Sequence, residues 1–483
     1  MQHDSLTSTF LFPGQGAYLA GVFSASRQAF PVIADELSQV DEYSLRAGGP
    51  AVTSLLTDPA SPTLDRLLEN DVPALSLAIF ASQIVAARLC QEEFGLSPAL
   101  LVGHSFGEFA ALVVSGALTL EEGVTLVVAR DRALRASGAS GGMVAVEAGF
   151  RRVEHLVAAV ADRSLTIAAD NAYDQVVVSG TATAVAHLAA VAGALGVKAT
   201  VLRVPYPFHN HQLLGRANEL FARTVTTITP RVPRIAVHSP VLGRRVETPE
   251  DVLEVLSSHL VRPVRFLDAL HTIRGEGETR FVECGARSTL VDLATTTLAG
   301  ISTSAPFRRR ADDTGVLAEV RALDAGAGTA RPAPAPVTGS SAASALATPA
   351  PVPSPQAATS APVAVTPAPA PAEPVVEPVP AQRATSASSE PAGEEGGLVE
   401  TKVLGELKTL YADAVGYPAD VFEDNVELEA DLGIDSIRQT ELLQRARKRY
   451  DVPEADHIRI TDYTTLESIA GLIVELSHQG ARV

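Results

Sequence analysis

Ala99-Leu100-Leu101-Val102-Gly103-His104-Ser105-Phe106-Gly107-Glu108 is an apolar run that enters a tight glycine-flanked turn, and a helix-compatible segment follows over residues 108–114. Strand, turn and helix in that order are what a G-x-S-x-G nucleophile elbow requires. Glycines flank the serine because the turn is too tight for bulkier side chains. The turn lifts Oγ clear of the sheet and aims it at a helix N-terminus, where backbone N–H groups can stabilise a developing oxyanion. The five-residue pattern alone is weak, since small residues recur by chance; the strand before it and the helix after it make Ser105 the candidate nucleophile.

Outward from the elbow, short β-rich runs alternate with longer amphipathic stretches. STFLFPG at 8–14 precedes the helix-like PALSLAIFASQIVAARLCQEEF, and a separate group of β-rich runs (MVAVEA, LTIAADN, QVVVSG, ATVLRV) with Ala-rich helical pieces fills about 137–204. The expectation is an α/β domain over 8–325 with a small second sheet inserted at 137–204. Residues 327–397 hold 15 of the 32 prolines, interleaved with Ala, Ser, Thr and Val and without aromatics. Such a composition buries too little surface to offset ordering entropy, so it is expected to be a disordered tether. A small domain is expected at 398–480. Cys90 and Cys284 are the only cysteines, which excludes a disulfide framework. There is no basic-then-apolar leader, and no uncharged apolar run reaches about 18 residues, so the expectation is a soluble cytoplasmic protein with no membrane span. A formal net charge of -18 argues against nucleic acid as a partner.

Several segments, in order, resemble the malonyl-CoA:acyl-carrier-protein transacylase family, which includes polyketide synthase acyltransferase domains. Residues 102–108 resemble its GHSxGE motif, and Phe12-Pro13-Gly14-Gln15-Gly16 its PGQG loop. Asn171 with Gln175-Val176-Val177-Val178-Ser179-Gly180 resembles its N-x-x-x-Q-x-V-x-S-G segment. Phe281-Val282-Glu283-Cys284-Gly285 resembles its F-x-E-x-G strand, with Ala286 where proline is usual. The resemblance covers about 8–310. It implies an α/β-hydrolase-like core with an inserted ferredoxin-like subdomain.

Ser105 needs a base, because a free hydroxyl is a poor nucleophile at neutral pH. Tyr206-Pro207-Phe208-His209 resembles the family motif ending in the catalytic histidine, which makes His209 the candidate. His104 is expected to point away from Oγ. His209 and His211 could be read as a metal pair, but no further ligands cluster near them in sequence and no metal is expected. The family orients its histidine through a backbone carbonyl, so no triad acid is named; a lipase-like hydrolase would need one. The implied oxyanion donors are the backbone N–H groups of Gln15 and Phe106. Arg130, 25 positions after Ser105, matches the family's malonyl-binding arginine, and a guanidinium offers a planar fork that fits a carboxylate. Phe208 fills space where an α-methyl would lie and favours malonyl, whereas Tyr206 is more typical of methylmalonyl enzymes. Malonyl, methylmalonyl and functionalised malonyl units all stay open.

In the C-terminal part, Asp431-Leu432-Gly433-Ile434-Asp435-Ser436-Ile437 opens a helix-like stretch and resembles the D-S-[LI] motif of acyl carrier proteins. That resemblance implies a four-helix carrier bearing covalent 4′-phosphopantetheine on Ser436. A serine at a helix N-terminus sets its phosphodiester beside unpaired N–H groups and the positive end of the helix dipole. Residues 398–483 hold 17 acidic and 9 basic side chains, net -8, which suits basic docking patches on partner enzymes. The expected partners are malonyl-CoA or a related acyl-CoA, the chain's own carrier and other carriers, a phosphopantetheinyl transferase, and a ketosynthase or tailoring enzymes of polyketide biosynthesis. No ketosynthase precedes residue 8, which favours a discrete acyltransferase that loads its own carrier. An acyl hydrolase of the same fold, clearing stalled carriers, is the alternative, and Arg130 speaks against it.

Overall fold

The computed structural model describes residues 7–277, 280–322 and, in part, 400–480. The tether expected over 327–397 lies outside the described residues. Eleven strands are numbered in chain order: β1 (Thr7–Phe12), β2 (Ser97–Gly103), β3 (Gly142–Val146), β4 (Thr166–Ala172), β5 (Gln175–Gly180), β6 (Ala199–Val201), β7 (Ala236–Ser239), β8 (Arg244–Val246), β9 (Val264–Arg265), β10 (Arg280–Glu283) and β11 (Ser302–Ser304).

Six of them form a sheet in the order β11-β10-β1-β2-β7-β8, parallel except at the β7–β8 edge. β1 and β2 lie at its centre, so their inner residues Phe10, Leu11, Phe12, Leu101 and Val102 are fully buried on both faces, as continuous apolar runs in a parallel sheet require. Helix Val72–Glu92 packs among Pro31–Arg46, Glu108–Val114 and Leu120–Ser137. By length and composition it could cross a membrane, where counting only uncharged runs found no such segment; 83% of its most apolar window is buried inside the protein, as befits a core helix. Both cysteines are buried and free.

The second sheet runs β6-β3-β5-β4-β9. Its first four strands and the helices Phe150–Val160 and Ala182–Ala194 follow the order strand-helix-strand-strand-helix-strand, and the helices close one face over Val144, Val146, Val176 and Val178. The sheet does not stop at residue 204, as the sequence pattern suggests. β9, some 60 residues further on, adds to β4 in parallel. Three helices are described in the C-terminal part, Glu400–Val415, Ser436–Arg449 and Leu466–Gly480, around a core that includes Leu407, Tyr411, Leu442 and Ile473. A fourth helix of the expected carrier is not among the described residues.

The F-x-E-x-G strand shows what its glutamate does. Glu283 ends β10 fully buried, and Oε2 accepts the N–H groups of Leu290 (2.9 Å) and Val291 (3.0 Å) at the start of helix Thr289–Thr297. Burial outweighs those two bonds and pushes the carboxyl up to about 8. The folded state therefore keeps a proton that the unfolded chain loses near pH 4.5, so this contribution to stability is complete below pH 4.5 and is lost as pH rises through 8. Glu283→Gln keeps an acceptor that cannot ionise. Its urea midpoint should fall less between pH 5 and 9 than that of the parent protein; parallel slopes would place the alkaline loss in other groups.

Candidate active site

β2 ends at Gly103, and a single 3-10 turn (Ser105–Gly107) leads into helix Glu108–Val114. Ser105 has φ 55°, a left-handed backbone that side-chain-bearing residues avoid and that surrounding structure must impose. The neighbours explain how the turn closes. A Cβ on Gly103 would collide with the Glu108 backbone, and one on Gly107 with the Phe12 carbonyl oxygen. His104 N–H donates to that same carbonyl (2.9 Å), which ties the elbow to the end of β1.

Ser105 Oγ lies 2.6 Å from His209 Nε2, across 104 residues of chain. His209 is also left-handed (φ 59°) and buried. Its Nδ1–H donates to the Arg262 carbonyl (2.7 Å), which leaves Nε2 as the acceptor facing the serine. The oxygen belongs to the backbone, so no side-chain pattern in the sequence could have singled out residue 262. β9 begins two residues later, and its pairing with β4 anchors the carbonyl. His104 turns away from Oγ: Nε2–H donates to Asn171 Oδ1 (2.8 Å), and Asn171 Nδ2 donates to Gln175 Oε1 (3.0 Å). The N-x-x-x-Q pair therefore holds the histidine that precedes Ser105. His211 is exposed at the first residue of helix His211–Val225.

Arg130 is 1% exposed. Its guanidinium lies over two rings, with Cζ 5.0 Å from the Phe106 centroid and 4.8 Å from that of Phe208, a pair of desolvated cation–π contacts. Tyr206 is half-buried and meets Phe208 edge-on at 5.9 Å. Gln15 does more than its backbone role implies, since its side chain bridges helix to helix: Oε1 accepts from Arg130 Nη2 (3.0 Å) and Nε2 donates to Ser76 Oγ (2.9 Å). Neither the Gln15 nor the Phe106 N–H is used in the turns around it among the described residues. Sequence reasoning missed three side chains here. His259 Nε2 accepts from Arg130 Nε (3.3 Å), Asp131 Oδ1 accepts from Arg130 Nη1 (3.4 Å), and Ser76 Oγ donates to the same Asp131 oxygen (3.2 Å). An Arg-Asp pair in a helix ordinarily reads as solvated surface, and only the fold buries it.

Burial dominates the electrostatics. It lowers His209 to about 3, with His104 and Arg130 pushing the same way against the Arg262 bond. Burial also holds His259 well below the usual histidine range.

The Acyl transferase domain family model matches residues 9–329, two thirds of the chain. The chain belongs to that family. A second model, the phosphopantetheine attachment site, matches 405–473, so this acyltransferase carries a domain for covalent 4′-phosphopantetheine. The acyltransferase is 34% identical over 289 residues to erythronolide synthase EryA2 of Saccharopolyspora erythraea and 33% over 292 residues to polyketide synthase GfsA of Streptomyces halstedii. Each match takes 60% of this chain but only 8% and 4% of those proteins. Among solved structures, the acyltransferase domain from module 8 of the salinomycin polyketide synthase matches at TM-score 0.60 and 27% identity, over 66% of this chain and 75% of that one. The malonyl CoA-acyl carrier protein transacylase of Coxiella burnetii shares the fold at TM-score 0.59 and 24% identity, over 66% and 98%.

Ser436 is the first residue of the 14-residue helix Ser436–Arg449, a position whose helical N–H groups lack intrahelical partners and would suit a phosphodiester. Its side chain lies outside the described residues.

A His209 ring lowered to about 3 should stay neutral across pH 4 to 7 in the folded acyltransferase. The unfolded chain takes up that proton near pH 6.5, so the sign is a loss of stability as pH falls from 6.5 towards 3. Ring-carbon chemical shifts followed by NMR would check this. A His209 titration midpoint near 6.5 would mean that water reaches the ring.

Proposed function

We propose that the chain transfers a malonyl-type acyl unit from coenzyme A to a carrier protein through an ester on Ser105. The observation that supports this most is the 2.6 Å contact from Ser105 Oγ to a neutral, carbonyl-oriented His209 Nε2, with a buried guanidinium beside it. His209 takes the Oγ proton as Ser105 attacks the thioester carbonyl, and returns it to the departing CoA sulfur. The Gln15 and Phe106 N–H groups are suited to the developing oxyanion, a donor type whose loss typically costs about 100- to 1,000-fold in turnover. When attached, phosphopantetheine on Ser436 supplies an acceptor thiol at the end of a long arm. His209 then takes the acceptor thiol's proton as its sulfur attacks the Ser105 ester carbonyl and gives that proton to the departing Oγ, so the acyl group leaves on the carrier and Ser105 is restored.

Arg130 is the group we assign to the acyl carboxylate. Three of its five N–H hydrogens are taken, one on each nitrogen, so each Nη keeps one for a two-pronged grip. Phe208 sets its ring 4.8 Å from that guanidinium, where it would crowd an α-substituent, which favours malonyl over methylmalonyl. We read the β3–β6 unit as the inserted ferredoxin-like subdomain of an α/β-hydrolase-like acyltransferase over 8–325, joined through 327–397 to a four-helix carrier over 398–480. In this reading the partners are CoA thioesters, the chain's own and other carriers, a phosphopantetheinyl transferase and enzymes of polyketide assembly in the cytoplasm.

With malonyl-CoA and no carrier thiol, intact-protein mass spectrometry should show one malonyl ester, and Ser105→Ala should abolish both the ester and transfer. Normal loading by Ser105→Ala would sink the assignment, and steady release of free malonate in place of carrier loading would make the protein a hydrolase.

Arg130→Ala should lose malonyl transfer and gain relative activity towards acetyl-CoA. A hydrogen bond to a charged group contributes about 1.5–3 kcal/mol, so each lost prong lowers malonyl kcat/KM roughly 10- to 150-fold. An unchanged malonyl-to-acetyl ratio would remove Arg130 from the site.

A further inference from the structure

Arg130 already has an anion of its own. Asp131, the next residue of helix Leu120–Ser137, is 3% exposed and sets Oδ1 3.4 Å from Arg130 Nη1. Ser76 on helix Val72–Glu92 donates to the same oxygen, while Oδ2 is buried with no partner among the described residues. The other charged or titratable groups facing this carboxyl are Arg135 on its own helix and Tyr206 from the segment before His209. Asp131, Arg135 and Asp71 also line a cavity of about 180 Å³, roomy and polar enough for water to carry a proton.

These positions set a charge problem. The Arg130–Asp131 pair is neutral and buried. An acyl carboxylate arriving at Arg130 makes two anions around one buried cation, and an uncompensated buried charge is costly. Losing Arg130's proton is no remedy, because the cation is what attracts the substrate. Asp131 is the group that can neutralise the surplus: its unpartnered Oδ2 is the atom that takes a proton, while Oδ1 keeps its bond from Ser76. Burial has already raised this carboxyl to about 7, so protonation near neutral pH requires little.

We propose that Asp131 is a specificity-determining residue of the acyl pocket: as a carboxylate it neutralises the charge of Arg130 and favours uncharged acyl groups, and on taking up one proton it leaves that charge to an acyl carboxylate. This rests on the acyl-transfer reading above. Carboxylated substrates therefore bind together with one proton, acetyl-type substrates do not, and the choice between them depends on pH.

The test is the ratio of Ser105 acylation by malonyl-CoA to that by acetyl-CoA, offered together to the full chain from pH 6 to 9 and read by intact mass. The ratio cancels the protonation of His209 and any loss of folded protein. In the parent it should fall about tenfold per pH unit above the Asp131 midpoint, as a single-proton requirement demands. In Asp131→Asn, which keeps the acceptor for Ser76, it should be flat and higher than the parent's at pH 8.5. Asp131→Ser serves as a second variant should the amide disturb folding. A flat ratio in the parent, or the parent's slope retained in both variants, overturns the proposal while the acyl-transfer reading stands. Failure of both thioesters to acylate Ser105 overturns that reading, and this one with it.

Discussion

Two side-chain-bearing residues held in left-handed backbone, Ser105 at φ 55° and His209 at φ 59°, face each other at 2.6 Å, and much of the acyltransferase serves to hold them there. Such conformations cost on the order of 1–3 kcal/mol each and persist only where packing over-determines them. On the serine side the constraint is the central β1–β2 pair, which sets Gly107 so close to the Phe12 carbonyl that no side chain fits. On the histidine side, His209 N–H donates to the Leu260 carbonyl (2.9 Å) and Nδ1–H to that of Arg262, so one short segment fixes both backbone and ring. β9 continues that segment into the second sheet. The small sheet is thereby tied to the large domain at the point where the base is oriented.

Dryness is the second theme. Arg130, Asp131, His209 and His259 are buried and His104 is half-buried, and burial is the largest cause of every shift among them. It keeps both His209 and His259 neutral, so neither competes electrostatically with Arg130 for an acyl carboxylate. It also strengthens each remaining charge interaction, because little water is present to screen it. The buried Phe106 and Phe208 rings contribute to that dryness and follow Ser105 and precede His209 directly in sequence. One pair of positions therefore sets both the geometry and the dielectric of the site.

Much of the fold and of the candidate site was legible because the motifs carry their own context. Gly103 and Gly107 around Ser105, after an apolar run, marked the elbow, although the Phe12 carbonyl that requires Gly107 comes from another strand. The alternation of β-rich and helical runs gave the α/β class, since side-chain period is a local property. The second sheet was bounded short because β9 is two residues long, too short for any periodicity to register. Asn171 and Gln175 were recognisable as a motif, yet their grip on His104 could only appear once β4 and β5 stood beside the elbow.

What the amino-acid sequence determined by itself was what near neighbours set: Ser105 on its turn, the histidine after Phe208, and the serine that opens the helix Ser436–Arg449. What only the tertiary structure decided was everything that depends on water being excluded. Arg130-Asp131 in one dimension is an ordinary charged pair on an amphipathic helix. Folded, it is a desolvated ion pair touching Gln15, Ser76 and His259 from three other parts of the chain. Solvation is a property of the assembled surface and not of any segment, so neither the Asp131 counter-ion nor the lowered His209 could be read before the elements were packed together.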